Sequence, residues 1–266
     1  ENLSKYITAS GGLSTGKNEL FVREILNDNK IIETYNFEYF QDPIRFTLSS
    51  ATFLSEIIKK ASDKFEFDSI TLSNYILTDS VMNQYGYNKN TAIAMFIPNT
   101  YEFYWNTSAT LFRTKMKDEY KRFWNSDRLE KAKKLNLTQN EVITLASIVQ
   151  KETSSVKERP MVAKLYLNRL QEQWPLQADP TIIFAIKEKT GEDTVIKRVL
   201  TKDLEIESPY NTYKNLGLPP GPISMPDISS IDAVLNPANH EYFFMCASIT
   251  KIGTHEFAKT LSQHNQ

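Results

Sequence analysis

Apolar residues in the second half of the chain recur at the three- and four-residue spacing of an α-helix. The clearest case follows Thr138 and Glu141, which form a capping box, and places Val142, Leu145 and Val149 on one stripe. This pattern predicts a helix that begins near residue 139 and buries one face. Comparable signals predict three further helices, which begin near Pro160, at Asp179–Pro180 and at Ser229.

The first half of the chain mixes helical and alternating patterns. Pro43–Leu48 alternates like a strand, and the stripe that follows predicts a helix near residues 54–61. Near the other end, Tyr242–Ala247 and His255–Ala258 predict a β-hairpin turned at Gly253. The fold class is therefore α+β and mainly helical in the second half. Further helices are expected over Glu19–Leu26, Ile70–Tyr85, Phe112–Phe123 and Arg128–Lys134.

Charge and composition exclude several kinds of partner. The 266 residues carry 31 Lys and Arg against 32 Asp and Glu, and the resulting net charge of −1 argues against nucleic-acid binding. Cys246, expected to lie buried in a strand, is the only cysteine, which excludes an internal disulfide and a cysteine-based zinc site. Gly11–Asn18 nearly matches a phosphate-binding loop but ends in Asn18 instead of a hydroxyl residue. We expect no cofactor and no metal.

Glu152 stands out because it continues an apolar stripe. It lies three residues after Val149 in the predicted helix, so its carboxyl belongs to a face that is otherwise buried. Burial disfavours the charged form of a carboxyl and prepares it to act as a general acid near neutral pH. The alternative is a structural glutamate at a helix end, paired with Lys151, Lys157 or Arg159.

A proline-rich loop over Ser208–Pro226 is the second candidate feature. Tyr210, Asn211 and Tyr213 combine aromatic faces with hydroxyl and amide groups, which suits a sugar ligand. Long loops inside a domain are often functional. The alternative is a loop that packs on its own tyrosines.

Three more polar residues are candidates for substrate binding. Gln177 has no evident structural task, whereas Asp179 is explained as the N-cap of the helix that follows it. His255 is a possible base or ligand, although a surface histidine in a hairpin is the commoner situation. The spacing of His240, His255 and His264 does not match a helical metal pair.

The segment Leu145–Thr153 resembles a motif of the MltG (YceG-like) endolytic murein transglycosylases. Upstream, Phe96–Tyr101 is similar to another block of that family, with Asn99 where aspartate is usual. The order of the blocks makes the resemblance specific. Downstream, the agreement continues through Asn168–Leu170, Leu176–Thr181, Ser208–Tyr213, Gly217–Ile223, Leu235–Ala238, His255–Phe257 and His264–Asn265.

The resemblance implies a domain organisation and a location. It implies a partial LysM-like α/β subdomain over residues 1–62 and a YceG-like catalytic domain over residues 63–266, with the motif blocks concentrated in 138–266. It also implies a bacterial inner-membrane protein with a single-pass anchor upstream of Glu1 and this region facing the periplasm. The implied partners are peptidoglycan glycan strands, with peptidoglycan synthases as further candidates.

The resemblance assigns the role of catalytic acid and base to Glu152. A lytic transglycosylase needs one carboxyl, because the C6 hydroxyl of the same muramic acid attacks and leaves a 1,6-anhydro end. Gln177, Asp179, Tyr210, Asn211, Tyr213 and His255 are the candidate substrate-binding residues. Two alternatives remain: a hydrolase with Asp179 as second carboxylate, and a non-catalytic glycan-binding scaffold of the cell-wall synthesis machinery.

Overall fold

The computed structural model describes residues 16–22, 33–39, 43–104, 106–251 and 253–265. The strands are β1 Gly16–Val22, β2 Glu33–Tyr39, β3 Ile44–Leu48, β4 Asn99–Phe103, β5 Phe244–Ala247 and β6 His255–Ala258. The helices are α1 Leu54–Ser62, α2 Ser69–Leu77, α3 Asp79–Tyr85, α4 Ala109–Phe123, α5 Ser126–Lys134, α6 Gln139–Glu152, α7 Arg159–Gln171, α8 Asp179–Thr190, α9 Ile228–Leu235 and α10 Leu261–His264. Short 3-10 helices cover Ala92–Met95 and Thr201–Glu205. The α+β fold class is confirmed.

The strands of the described ranges pair as three antiparallel two-stranded sheets, β1–β2, β3–β4 and β5–β6. The helix predicted over Glu19–Leu26 is wrong for its first part, because Glu19–Val22 pair with Glu33–Asn36 in the β1–β2 ladder. A short apolar run does not distinguish helix from strand, and non-local pairing decides it. Cys246 is exposed on β5, so the expectation of a buried cysteine is also wrong.

An aromatic core joins β3 and β4 to the first helices. The ring of Phe46 lies 5.4 Å from that of Phe65, 6.0 Å from that of Phe103 and 5.5 Å from that of Phe112. Residues on both sides of the predicted division at residue 62 belong to this core. The LysM-like subdomain and its boundary stay predictions.

A second core surrounds α6, which lies among α7, α8 and α9. Leu145, Ile148 and Val149 on α6 have no exposed surface, and they pack with Val162 and Leu165 of α7. The predicted capping box is confirmed, because the hydroxyl of Thr138 and the carboxylate of Glu141 bond each other's backbone N–H. Helix α6 is therefore a rigid central element that ends at Glu152.

Polar contacts fasten the long loop to α6. The backbone N–H of Ile223 donates to the hydroxyl oxygen of Ser147 over 3.0 Å, inside the core. One turn further along α6, the side-chain oxygen of Gln150 accepts from the N–H of Asp227 and the hydroxyl of Ser230. The loop therefore runs beside the end of α6 that carries Glu152. Among the described residues, no helix combines the length and apolarity needed to cross a membrane.

Candidate active site

Glu152 is the last residue of α6, at the point where the buried helix reaches the surface. Its side chain is half-buried, and its carboxylate oxygen Oε1 accepts a hydrogen bond of 2.7 Å from the hydroxyl of Tyr166 on α7. Within the described ranges, no lysine or arginine forms an ion pair with it. Arg159 instead bonds Ser229 and lies 3.6 Å from Asp227. The interpretation of Glu152 as a salt-bridged residue is therefore wrong.

The environment of Glu152 raises its pKa from the ordinary 4.5 to about 7. Burial is the largest cause, because it removes water from the charged form. The hydroxyl of Tyr166 lowers the pKa by bonding the carboxylate, Asp179 raises it by charge repulsion, and His255 and Arg169 lower it. At neutral pH the carboxyl thus exchanges its proton readily, as a group that serves in turn as acid and base must do.

Two buried polar residues of α7 bond backbone carbonyls of the segments around the site. Arg169 donates from Nε to the carbonyl of Phe243 over 2.8 Å and from Nη1 to the carbonyl of Leu176 over 2.5 Å. Its neighbour Asn168 donates to the carbonyls of His240 and Tyr242. These bonds fix the segment that leads into β5 and the turn before α8 relative to Glu152.

Asp179 and Tyr213 form a second polar pair beside Glu152. The Tyr213 hydroxyl donates to Oδ1 of Asp179 over 2.6 Å. Burial, followed by this bond and the Asp179 charge, raises the pKa of Tyr213 above its ordinary value. Asp179 is the first residue of α8 and Ala178 occupies the N-cap position, so the predicted capping role of Asp179 is wrong. Its carboxylate instead accepts the hydrogen bond from the Tyr213 hydroxyl.

Gln177 lies in the turn that precedes α8, with its side chain exposed. Its φ of 50° is in the left-handed region, which costs a non-glycine residue of order 1 kcal/mol or more. The backbone N–H of Gln177 donates to the carbonyl of Thr212, and that of Ala178 donates to the Thr212 hydroxyl. These two bonds hold the strained turn against the 208–226 loop. The amide of Gln177 is exposed, and no described residue bonds it.

The sequence predicted that Tyr210 and Asn211 face the site, but in the structure they do not. Tyr210 is 3% exposed and packs on the ring of Phe184 in the core. Asn211 has no exposed surface: its amide donates to the carbonyls of Leu204 and Ile206, and its oxygen accepts from two N–H groups in the loop. Both side chains are occupied in organising the loop, so the expectation that they contact substrate is corrected.

His255 reaches the site from β6, held by a buried glutamate. Its ring nitrogen Nδ1 lies 2.9 Å from Oε2 of Glu158, and its backbone N–H donates to Oε1 of Glu158 over 2.7 Å. Thr153, next to Glu152, also donates to Oε2 of Glu158. Burial alone would raise the pKa of Glu158, but these hydrogen bonds lower it overall. No described residue bonds Nε2 of His255, so that nitrogen is available to a ligand.

Sequence reasoning missed Tyr166, Arg169 and Glu158. Tyr166 matched an apolar stripe, which concealed that its hydroxyl bonds a carboxyl in another helix. Glu158 carries no local signal, because its partner His255 lies 97 residues away. The described residues contain no group of three or more His, Cys, Asp or Glu side chains arranged to hold a metal.

A half-buried carboxyl with a pKa of about 7, set among hydroxyl and amide groups in an α+β domain, has the properties that a general acid–base group requires and is the candidate site of this chain. The model of the YceG-like family matches residues 14–266, and the chain belongs to this family. A crystal structure of a yceG-like protein from Listeria monocytogenes has the same fold, with a TM-score of 0.68 and 25% identity over 87% of this chain and 83% of that one.

Curated relatives match half of the chain. An endolytic murein transglycosylase of Bacillus subtilis (strain 168) is 40% identical over 134 residues, which cover 50% of this chain and 35% of the relative. The endolytic murein transglycosylase of Streptococcus pneumoniae serotype 2 (strain D39 / NCTC 7466) is 34% identical over 134 residues, 50% of this chain and 24% of the relative. The alignments therefore span about a third or less of these relatives.

Proposed function

We propose that this chain carries the catalytic site of an endolytic murein transglycosylase, with Glu152 as the catalytic acid and base. The observation that carries the proposal is the carboxyl of Glu152, half-buried at the end of α6 with its pKa raised to about 7. The names of the curated relatives supply the substrate class, murein. The substrate bond is the glycosidic bond between N-acetylmuramic acid and N-acetylglucosamine.

The reaction needs one carboxyl and consumes no water. Protonated Glu152 gives its proton to the glycosidic oxygen as the bond to the muramic acid C1 breaks. The resulting carboxylate then takes the proton of the C6 hydroxyl of the same sugar, whose oxygen bonds C1. The products are a 1,6-anhydro end and a free hydroxyl on the leaving sugar, and Glu152 regains its proton.

The neighbouring groups have positioning roles in this mechanism. Tyr166 bonds one carboxylate oxygen, Oε1, and no described residue bonds the other, which would therefore meet the glycosidic oxygen. The charge of Asp179, placed by Tyr213, favours the protonated form of Glu152 before cleavage and the positive charge that develops on the sugar during it. Gln177 and Nε2 of His255 offer hydrogen bonds to sugar hydroxyl and acetamide groups.

The products of digestion test this proposal. Purified glycan strands are incubated with the protein, and the new ends are identified by mass spectrometry. We expect ends one water lighter than reducing ends. Glu152→Gln should abolish them, whereas Glu172→Gln, an exposed carboxyl at the end of α7, should leave them unchanged. Turnover by Glu152→Gln close to that of the unaltered protein would refute the role of Glu152.

A hydrolase is the second candidate, because Asp179 lies close enough to Glu152 to raise its pKa. In that mechanism a second carboxylate activates water or attacks the sugar, and the products carry ordinary reducing ends. Reducing ends that disappear in both Glu152→Gln and Asp179→Asn would favour the hydrolase. Binding of strands without any cleavage would favour the non-catalytic scaffold.

We also propose that the site works outside the cytoplasm on nascent strands. It would face the periplasm from a single-pass anchor in the bacterial inner membrane, upstream of Glu1, and would act beside peptidoglycan synthases. Protease treatment of cells stripped of their outer layers should digest this region, whereas protection from the protease would contradict the location. Crosslinking in cells tests the synthases as partners.

A further inference from the structure

A small cavity, the inner cavity, is lined by the sequence neighbours of Glu152 and Asp179. It has a volume of about 160 Å³, and its walls include Lys151, which precedes Glu152, and Pro180, which follows Asp179. The rest of the lining is formed by the apolar side chains of Ile183, Phe184 and Ile223, and by Thr52 and Lys187. A substrate bound at Glu152 would therefore lie near this cavity.

The cavity is cationic. Its lining contains two lysines and no carboxylate. No described residue forms an ion pair with Lys151, and the Lys187 ammonium donates to the backbone carbonyl of Glu192 over 3.3 Å. Two ammonium groups that form no ion pair with a described residue, beside apolar side chains, fit a ligand that combines a carboxylate with aliphatic carbon.

A larger neighbouring cavity of about 340 Å³, the outer cavity, differs from the inner cavity in the charges of its lining. It shares Phe184 and Lys187 with the first and extends away from Glu152. Lys89 adds a further cation there, but Glu188 and Glu192 add two carboxylates. The outer lining thus holds as many carboxylates as lysines, whereas the inner lining holds two lysines and no carboxylate.

We propose that the inner cavity binds a carboxylate of the short peptides carried by murein strands, while the sugars lie over Glu152. The inference rests on the proposed function and names the part of the substrate that the site recognises besides sugar. Each muramic acid bears its peptide on the ring that would be cut, so the peptide must leave the sugar close to the catalytic carboxyl. Lys151 and Lys187 would then receive the acid group, and Phe184 and Ile223 the aliphatic side chains.

The test compares strand fragments with and without peptides, the latter prepared by amidase treatment. Binding is measured by calorimetry on protein carrying Glu152→Gln, which separates recognition from cleavage. Lys151→Gln and Lys187→Gln should each weaken binding of the peptide-bearing fragment about threefold, and together about tenfold, since exposed ion pairs contribute modestly. Lys189→Gln, on the same helix but outside the cavity lining, is the matched control.

The peptide-free fragment should bind all five proteins equally: the Glu152→Gln parent, the two single variants, the double variant and the control. Equal losses on both fragments, or no loss on the peptide-bearing fragment, would overturn the inference. Failure of the proposed function looks different: peptide-dependent binding would persist, while the protein with an intact Glu152 would cut neither kind of strand.

Discussion

Replacing Glu152 with glutamine should increase the stability of the folded protein at alkaline pH while abolishing cleavage. The amide keeps the shape of the side chain and still accepts the hydrogen bond from Tyr166, but it carries no charge. Above pH 7 the unaltered protein must hold a charged carboxylate in a place that disfavours it. The variant avoids that cost.

The magnitude follows from the two pKa values. A rise from 4.5 to about 7 corresponds to about 3 kcal/mol, at about 1.4 kcal/mol for each tenfold change in proton affinity. Glu152 is partly open to solvent, which screens its charge, so we expect a gain of about 1–3 kcal/mol. Below pH 4.5 the carboxyl is neutral both folded and unfolded. Its contribution to stability is then fully present, and it is lost as the pH rises from 4.5 through 7.

Urea unfolding of both proteins at several pH values measures this difference. We expect Glu152→Gln to be the more stable protein at pH 8, with the difference shrinking towards zero near pH 4.5. Glu172→Gln controls for the loss of a negative charge as such. A variant that is less stable than the unaltered protein at pH 8, or a difference independent of pH, would refute the environment assigned to Glu152.

Three further results are expected. Tyr166→Phe removes a hydrogen bond that lowers the pKa of Glu152, so the alkaline limb of the cleavage profile should move to higher pH; an unmoved limb contradicts this. Asn211→Ala should lower the free energy of unfolding by about 1–3 kcal/mol in urea titrations, because it leaves buried loop groups unpaired; unchanged stability contradicts the structural role. A chain that starts at Pro43 retains β3 and should still cut short soluble glycans, and a folded but inactive product would show that the earlier residues take part in the chemistry.

Local signals were enough to predict most of the second half of the fold. The capping box at Thr138, the proline at the start of α7 and the hairpin of β5 and β6 each depend on residues close together in sequence. The partial burial of Glu152 was also predictable, because this residue lies at the end of an apolar stripe. Predictions failed where distant pairing decided the outcome, as for β1.

The remainder of the candidate site depends on contacts between distant segments. Asp179 meets Tyr213 across 34 residues, and His255 meets Glu158 across 97. Composition identified the loop around Asn211 as rich in hydrogen-bonding groups but did not reveal that nearby backbone carbonyl and N–H groups would bond the amide. Residue type shows which hydrogen bonds a side chain can form, and only the tertiary structure shows with which groups it forms them.

A group that acts first as an acid and then as a base in one reaction needs a pKa that strongly favours neither its protonated nor its charged form. An ion pair with lysine or arginine would stabilise the charged form of Glu152 and withhold the proton, while full burial without compensation would prevent its release. The structure lies between these limits: burial and Asp179 favour the proton, whereas Tyr166, His255 and Arg169 favour the charge, and the pKa settles at about 7. Since the opposing groups come from α7, α8 and β6, their relative placement sets the proton affinity. Variants that move one element while leaving Glu152 intact should therefore alter the pH dependence of cleavage before they abolish it.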